Sequence, residues 1–524
     1  MIYFLIFPIF LFWFLKIVKD IIFWLYLWQL KNYHIGRFLS HFKTEAGNTI
    51  KRNWLILFLF ALLIKLTLNS ANIVFPLIYL LYCLYASFGL FIKRFKKPEF
   101  TSKVLFLSFL CFLPLIIGVF FFITFVSGIY SPEEMASFLQ VFLMLLVLID
   151  LLIPFYVTFI VLFFQPVTIF LRNKKINKAR KKRESLENLL TIGITGSFGK
   201  SSVKDFLKII LSESFKVVST EDNKNSEMGI AETILKNVNQ NHEIFLCEMG
   251  AYNRGGINLL CSIAKPKIGI ITGINSQHLS TFGSQENIIK GKFELIDYLP
   301  SEGLAVLNWD SELVRKGFKR EIASIKYSLS SREDIWAEDI KIDKNTVCFK
   351  ACFSTGKSIK IEADLVGKQN IINLLCAISV ARKLGMDLKE IADAIKKIKN
   401  SNFYPGKEKD IINFTYSSNP SAVLSHLEHL KLWKGKKILI MPCLIELGKE
   451  SQNVHEIIGQ KIDEICDLAI ITNKECFKYL KSKKAIFLKD PKEIYERVRA
   501  NSSFNGVVLL EGRINEKIIN LLNK

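Results

Sequence analysis

Histidine is scarce in this chain, seven in 524 residues, and its ten cysteines are scattered. The nearest pair outside the apolar half, Cys348 and Cys352, has no second pair or histidine cluster beside it. That excludes a zinc site of ordinary ligand spacing and leaves free thiols in a reducing compartment as the expectation. Acidic residues are also short, 48 against 70 basic ones, giving a net charge of +22. Nucleic acid is the usual partner of such an excess, yet no basic run is interleaved with aromatics as in an RNA-binding module, so none is expected here. The basic residues crowd instead into 31–52, 93–103 and 172–183, each beside an apolar run, where they read as topology signals and lipid-headgroup contacts. A cleavable signal peptide is not expected: no basic segment precedes the first apolar stretch and no small-residue cleavage site follows it.

What the chain has in abundance is apolar length. Half its residues are hydrophobic, 43 of the total being Phe, and nearly all the long apolar runs lie before residue 171. Met1–Trp28 is broken by Lys16, Lys19 and Asp20; Trp54–Leu68, Ile73–Ile92 and Val104–Val126 follow, the last with Pro114. The long stretch Met135–Leu171 carries Asp150 and Pro154. Taking it as one kinked span gives about five crossings and places all three basic loops on one side. The N-terminus is then outside and everything after Arg172 cytoplasmic. Two spans there would export the phosphate loop described next, away from ATP. Asp150 reads either as a functional intramembrane group or as a carboxylate buried against a neighbouring helix or at a kink.

Beyond a basic linker, 172–190, short apolar runs alternate with charged helical patterns. Strands are expected at Thr191–Thr195, Lys216–Ser219, Ile244–Glu248, Lys267–Thr272 and Leu304–Leu307, with helices at Val203–Ser212 and Gln285–Tyr298. Strands separated by helices imply a mostly parallel sheet whose ligand edge lies at the strand C-termini. The stretch TIGITGSFGKSSVK, Thr191–Lys204, reads as strand, tight loop and first helical turn. Gly196, Ser197 and Gly199 would let the backbone approach a phosphate, Lys200 would supply charge, and the hydroxyls of Ser201 and Ser202 open the helix. A strict P-loop would place glycine at Ile194, so the generic match is incomplete. Asn223 and Asn225 follow the second strand, Glu248 ends the third and His278 lies just beyond the fourth, so all converge on this cradle. Glu248 and His278 suit a second Mg²⁺ beside one on Ser201, though an imidazole among oxygens is not diagnostic. After Lys399, KKILIMP, LAIIT, KAIFL and GVVLLEG read as buried strands of a second, smaller α/β domain behind a turn-rich hinge at 400–409.

These residues carry a resemblance. GITGSFGKSSVK resembles the ATP-binding loop of the Mur ligases, and Cys247–Ile296, Val366–Gly385 and Met441–Gly448 look like successive stretches of the MurF type, which joins D-alanyl-D-alanine to UDP-MurNAc-tripeptide. The likeness covers essentially all of 191–524. It implies a multi-domain fold: an α-helical transmembrane region (1–171), the linker, a central α/β Mur ligase ATP-binding domain with a P-loop and mostly parallel sheet (191–400), and a smaller Rossmann-like α/β C-terminal domain (401–524). The implied activity is ATP-dependent amide ligation in peptidoglycan synthesis, in which a substrate carboxylate takes the γ-phosphate and an amine displaces phosphate from the acyl carbon. By position, Lys200 and Ser201 would serve the ATP phosphates and a first Mg²⁺, and Glu248 and His278 a second. Lys292 falls where the family carries a carbamylated lysine, Asn370 where a side chain contacts adenine, and Asn225 in the loop lining the phosphates. The implied partners are the nucleotide-sugar peptide, D-Ala-D-Ala, the lipid bilayer and other wall-synthesis proteins. The implied location is the bacterial inner membrane, with the catalytic domains in the cytoplasm.

Three departures stand out. The family's paired acids before Tyr-Asn are replaced by Asn413-Phe414, its Gly-Arg entering the last domain reads Gly406-Lys407, and the domain that binds the UDP end is absent, with the apolar region in its place. An amide ligase of the poly-γ-glutamate synthetase kind and a catalytically weak ATP-binding scaffold therefore stay open as alternatives.

Overall fold

The computed structural model describes residues 3–31, 33, 35–42, 45–66, 74–88, 96–126, 132–221, 224–275, 279–399, 402–406, 409–415, 419–444, 447–501 and 505–522. It divides into two compact units, Met1–Leu171 and Arg172–Lys524.

The first unit is helical: α1 (Tyr3–Leu30), α2 (Ile35–His41), α3 (Glu45–Leu66), α4 (Val74–Phe88), α5 (Ser102–Val126) and α6 (Pro132–Phe163), with α7 (Gln165–Glu184) starting in it. Large apolar side chains face outward: Leu55, Ile56 and Phe58 on α3, Leu105 and Phe109 on α5, Phe155 and Phe159 on α6. Charge lies inside instead. The buried Lys16 ammonium is 2.9 Å from Asp150 Oδ1 and 2.8 Å from Asp20. Tyr79 OH donates to Asp150 Oδ2 at 2.8 Å, and Trp13 Nε1 donates to Oδ1 at 3.1 Å. Asp150 is thus a satisfied carboxylate pinning α1, α4 and α6, the second of its two expected readings. Among the described residues one helical run, Val141–Glu184, is long and apolar enough to cross a membrane; Phe75–Phe88 and Ser102–Gly118 are apolar but shorter. Of about five expected crossings, one therefore meets that measure. Lys16, Lys19 and Asp20 interrupt the apolar run of α1, which stays one helix, and residues 67–73 and 89–95, on which the expected second and third loops fall, lie outside the described set.

The expected linker is itself helix, the second half of α7, because Ile176, Ala179 and Arg183 recur on one face and bury it. The second unit continues as β1 (Leu190–Thr195), α8 (Lys200–Leu211), β2 (Val217–Ser219), α9 (Glu227–Lys236), β3 (Ile244–Glu248), α10 (Gly256–Ala264), β4 (Ile268–Ile271), α11 (Leu279–Phe282), α12 (Gln285–Tyr298), β5 (Leu304–Asn308), α13 (Glu312–Gly317), β6 (Ala323–Ser328), β7 (Ile335–Ile342), β8 (Val347–Phe353), β9 (Ser358–Ala363), α14 (Gln369–Lys383) and α15 (Leu388–Ile395). These strands form one sheet in the order β2-β3-β1-β4-β5-β6-β7-β8-β9. It is parallel through β7, and β8 and β9 add an antiparallel ribbon. β1 sits between β3 and β4, where the winding reverses, so its C-terminal end is the switch point at which such sheets bind ligands. Ile192 and Ile194 are fully buried, and Gly193 lets α12 approach, since a Cβ there would lie 2.8 Å from Leu295 Cδ1.

The remaining elements are β10 (Phe403–Tyr404), β11 (Lys409–Phe414), α16 (Pro420–His429), β12 (Lys437–Met441), α17 (Ser451–Ile465), β13 (Leu468–Ile471), α18 (Lys474–Leu480), β14 (Ala485–Phe487), α19 (Pro491–Asn501), β15 (Gly506–Glu511) and α20 (Glu516–Leu522). Their six strands form a second sheet, β10-β11-β15-β12-β13-β14, parallel except for β10, with helices packed on it as the Rossmann-like expectation required. One cysteine expectation fails here: Cys443 and Cys476 are joined as a disulfide with Cα atoms 5.5 Å apart, while eight cysteines are free. Their 33-residue separation hid the pair, which only the meeting of the loop after β12 with α18 creates.

Candidate functional site

β1 delivers the chain to a loop that only glycine can make. Gly196 has φ 152°, and a Cβ on it would collide with Thr272 Oγ1; Gly199 has φ 77°, and a Cβ would lie 2.7 Å from Asn373 Oδ1. The loop is tied to the strand beside it. Ser197 N donates to Gly273 O at 2.7 Å, Asn275 N donates to Ser197 Oγ at 3.2 Å, and the Thr272 hydroxyl donates to Phe198 O. Gly199 caps α8, whose first turn is Lys200-Ser201-Ser202 and whose Val203, Phe206, Leu207 and Ile210 anchor it in the core. The free N–H groups at this helix start face the loop, an arrangement that attracts anions.

Five expected residues lie there. The Ser201 hydroxyl donates to Glu248 Oε2 at 2.9 Å, and Asn225 Nδ2 donates to Oε1 at 3.0 Å. Glu248 is buried, its backbone N–H bonded to Thr220 Oγ1 at 3.0 Å. Lys200 Nζ folds back to Gly196 O at 2.9 Å; desolvation lowers its pKa, against the pull of Glu248. Lys292, buried on α12, is pushed down to about 7 by desolvation and then by the charge of Lys200. An amine held near neutrality inside a protein is a nucleophile rather than a fixed cation.

Asn370 is brought near but turned aside, its Nδ2 donating to Val366 O at 2.9 Å while Asn373 beside it approaches Gly199. His278 and Lys407 lie outside the described residues. Among the described residues no three His, Cys, Asp or Glu side chains gather as a metal cluster. The Ser201–Glu248 oxygens nonetheless suit a hard cation, which prefers hydroxyl and carboxylate donors.

Beside the loop lies a cavity of about 420 Å³ lined by Phe198, Asn308 and Ser311 on one side, Gln369 at the start of α14, and Ser421 and Ser425 of α16. Asn275 Nδ2 donates to Asn419 Oδ1 at 3.1 Å across this junction, and Asn419 also caps α16 through Ala422 N at 3.2 Å. Where the family's acids are lost, Phe414 stacks on His426 with centroids 3.6 Å apart, and His426 Nδ1 is 2.7 Å from the buried Glu511. Sequence reading missed Lys204, Thr272, Asn275, Asn373 and Asn419. Only the last advertised itself, as an Asn-Pro helix start.

Residues 194–381 match the Mur ligase middle domain family. A UDP-N-acetylmuramoyl-tripeptide–D-alanyl-D-alanine ligase of Synechocystis sp. is 29% identical over 281 residues, 52% of this chain and 59% of that protein. The chain thus spans less than two thirds of that relative's length. The Bacillus subtilis ligase of the same name is 25% identical over 61% of this chain and 72% of its own length. Among solved structures, the MurF ligase from Thermotoga maritima in complex with ADP superposes with a TM-score of 0.62 at 25% identity, covering 67% of this chain and 83% of that one.

Proposed function

We propose, from the premise that residues 194–381 are a Mur ligase middle domain, that this chain is an ATP-dependent ligase adding D-Ala-D-Ala to UDP-MurNAc-tripeptide. The observation that carries this reading is the meeting of Lys200, Ser201, Glu248 and Lys292 at the carboxyl end of the central strand.

The loop N–H groups and Lys200 hold the ATP phosphates and stabilise charge spread over the transferring phosphoryl group, without reorganising as it develops. Ser201 and Glu248, already joined by a hydrogen bond, are the oxygens that would hold Mg²⁺, which when bound neutralises phosphate charge. His278 would be a further ligand of a second metal. Lys292, neutral in part near pH 7, can attack CO₂, losing a proton and gaining a carboxylate that faces the same site. The cavity beside Phe198 takes the nucleoside, with Gln369, Ser421 and Ser425 as its polar wall in place of the missing acids. The tripeptide carboxylate takes the γ-phosphate; the amine of D-Ala-D-Ala then attacks the acyl carbon and phosphate leaves.

The helical unit is proposed to be membrane-embedded, with the apolar part of the run Val141–Glu184, up to Leu171, crossing the bilayer and the ligase domains in the bacterial cytoplasm. Its outward apolar faces on α3, α5 and α6 and its inward charges support this reading, because water would penalise the first and lipid would penalise the reverse arrangement. Other wall-synthesis proteins are the natural neighbours there.

The test is phosphate release by the purified full chain in detergent. Release that needs ATP, UDP-MurNAc-tripeptide and D-Ala-D-Ala together supports the proposal. Release driven by glutamate polymers points to the poly-γ-glutamate alternative, and none with any acceptor to the scaffold.

A further inference from the structure

Helix α7 divides its charges by face. On one side Arg172 reaches Glu227 at 3.5 Å, Lys175 pairs with Glu232, Arg180 Nη2 donates to Ser262 Oγ at 2.6 Å and Lys182 Nζ donates to Leu235 O at 3.0 Å. Arg183, buried, donates to the carbonyls of Leu186, Leu189 and Ala264 and to Thr191 Oγ1. Ile176 and Ala179 pack between them. These contacts fix the helix to α9, α10 and the start of β1.

The other side reads Val167, Phe170, Leu171, Lys174, Lys178, Lys181. Steps of three or four residues put all six on one stripe. Val167, Phe170 and Leu171 are 52%, 68% and 58% exposed. The three lysines are exposed as well, and among the described residues none of them has an acidic partner. Along a single face, then, side chains change from apolar to cationic between Leu171 and Lys174.

We propose that this stripe docks on anionic phospholipid headgroups, with Val167, Phe170 and Leu171 in the hydrocarbon and Lys174, Lys178 and Lys181 on the phosphates. The inference rests on the membrane-embedded reading above and names the lipid class and the residues. Charge complementarity supports it, as does continuity: the stripe ends the one described helical run apolar enough to cross a bilayer. The lysines follow Leu171 by about 5 to 15 Å of helix axis. The field of an anionic surface decays over about 8 Å at physiological ionic strength. All three lysines therefore feel it, given their long stems. A protein partner would not require the switch from apolar to basic to fall at one level of the helix.

Each lysine strengthens attachment to an anionic surface about fivefold, so three together give on the order of 100-fold. The test measures fluorescent phosphatidylglycerol and phosphatidylcholine binding to the detergent-solubilised full chain. The triple variant Lys174→Gln, Lys178→Gln, Lys181→Gln loses phosphatidylglycerol affinity by roughly that factor and keeps phosphatidylcholine affinity. The control Arg172→Gln, Lys175→Gln on the protein-facing side keeps the lipid preference. Equal affinity of wild type and triple variant for phosphatidylglycerol overturns the proposal, as does a triple variant that loses duplex RNA binding instead. Retention in membranes after alkaline carbonate washing tests the embedded reading separately: a washed-out chain that still prefers phosphatidylglycerol through these lysines refutes embedding and supports the stripe.

Discussion

Two buried charge clusters in this protein are built on opposite principles. In the helical unit Lys16 faces two carboxylates, Asp150 and Asp20, and Asp150 takes further bonds from Tyr79 and Trp13. At the end of β1, the buried carboxylate Glu248 has Lys204 Nζ 3.8 Å away and pulls on the charge of Lys200, while Lys292 feels the charges of Lys200 and Glu294. Lys204 shares itself with the exposed Asp205. The first cluster is closed and holds helices together; in the second, burial holds Lys200 and Lys292 below the usual lysine range, and an anion bound there would favour their charged forms. Burial of charge alone does not mark a functional site, whereas burial with an imbalance does.

The largest effect that separates the two clusters is structural. Asp150→Ala strands the Lys16 charge and destabilises the helical unit by ~3–5 kcal/mol, seen as a lower midpoint in thermal unfolding of the detergent-solubilised chain. Nucleotide binding per folded molecule stays unchanged. Lys200→Ala does the reverse, cutting ligation by on the order of 10²–10³-fold while the unfolding midpoint hardly moves; a variant of wild-type turnover would dissolve the contrast. Gly199→Ala forces a side chain into φ 77° against Asn373, a strain of ~1–2 kcal/mol. Isothermal titration should read it as roughly tenfold weaker ATP binding.

The smallest effect concerns Lys292. Its folded pKa lies near 7, below its unfolded value, so its neutral fraction grows as pH rises through 7. Between that pH and the ordinary lysine range the unfolded chain holds a proton that the folded chain lacks, and stability contributed by this group rises with pH across the window. Amine-directed labelling followed by mass spectrometry should give Lys292 a half-maximal rate near pH 7, well below that of the exposed lysines. A rate rising only with theirs would show an ordinary charged lysine.

The phosphate loop was legible because its information is local. Strand, Gly196, Gly199 and Lys200 sit within a few residues, and backbone sterics alone dictate their order. Glu248 and Asn225 followed from the rule that strand ends converge. The long-range partners were not legible: Asn275 meets Asn419 across 144 residues and Trp13 meets Asp150 across 137, and nothing in either neighbourhood announces the other. The Cys443–Cys476 pair was missed for the same reason. The apolar region shows a subtler limit, since hydropathy counted about five crossings, whereas Lys16, Lys19 and Asp20 lie within α1 and among the described residues one run meets the length and apolarity of a span. The stretch read as a linker carried its helical period in plain view, but a dense run of lysine and arginine reads as solvated until the structure shows which face each charge serves.

The most direct measurement of the central claim is ATP-dependent phosphate release by the full chain, with UDP-MurNAc-tripeptide and D-Ala-D-Ala supplied singly and together. The account predicts release only with both, one phosphate per peptide bond formed, and loss of both products in Lys200→Ala. Release indifferent to either substrate, or ligation that survives Lys200→Ala, would contradict it.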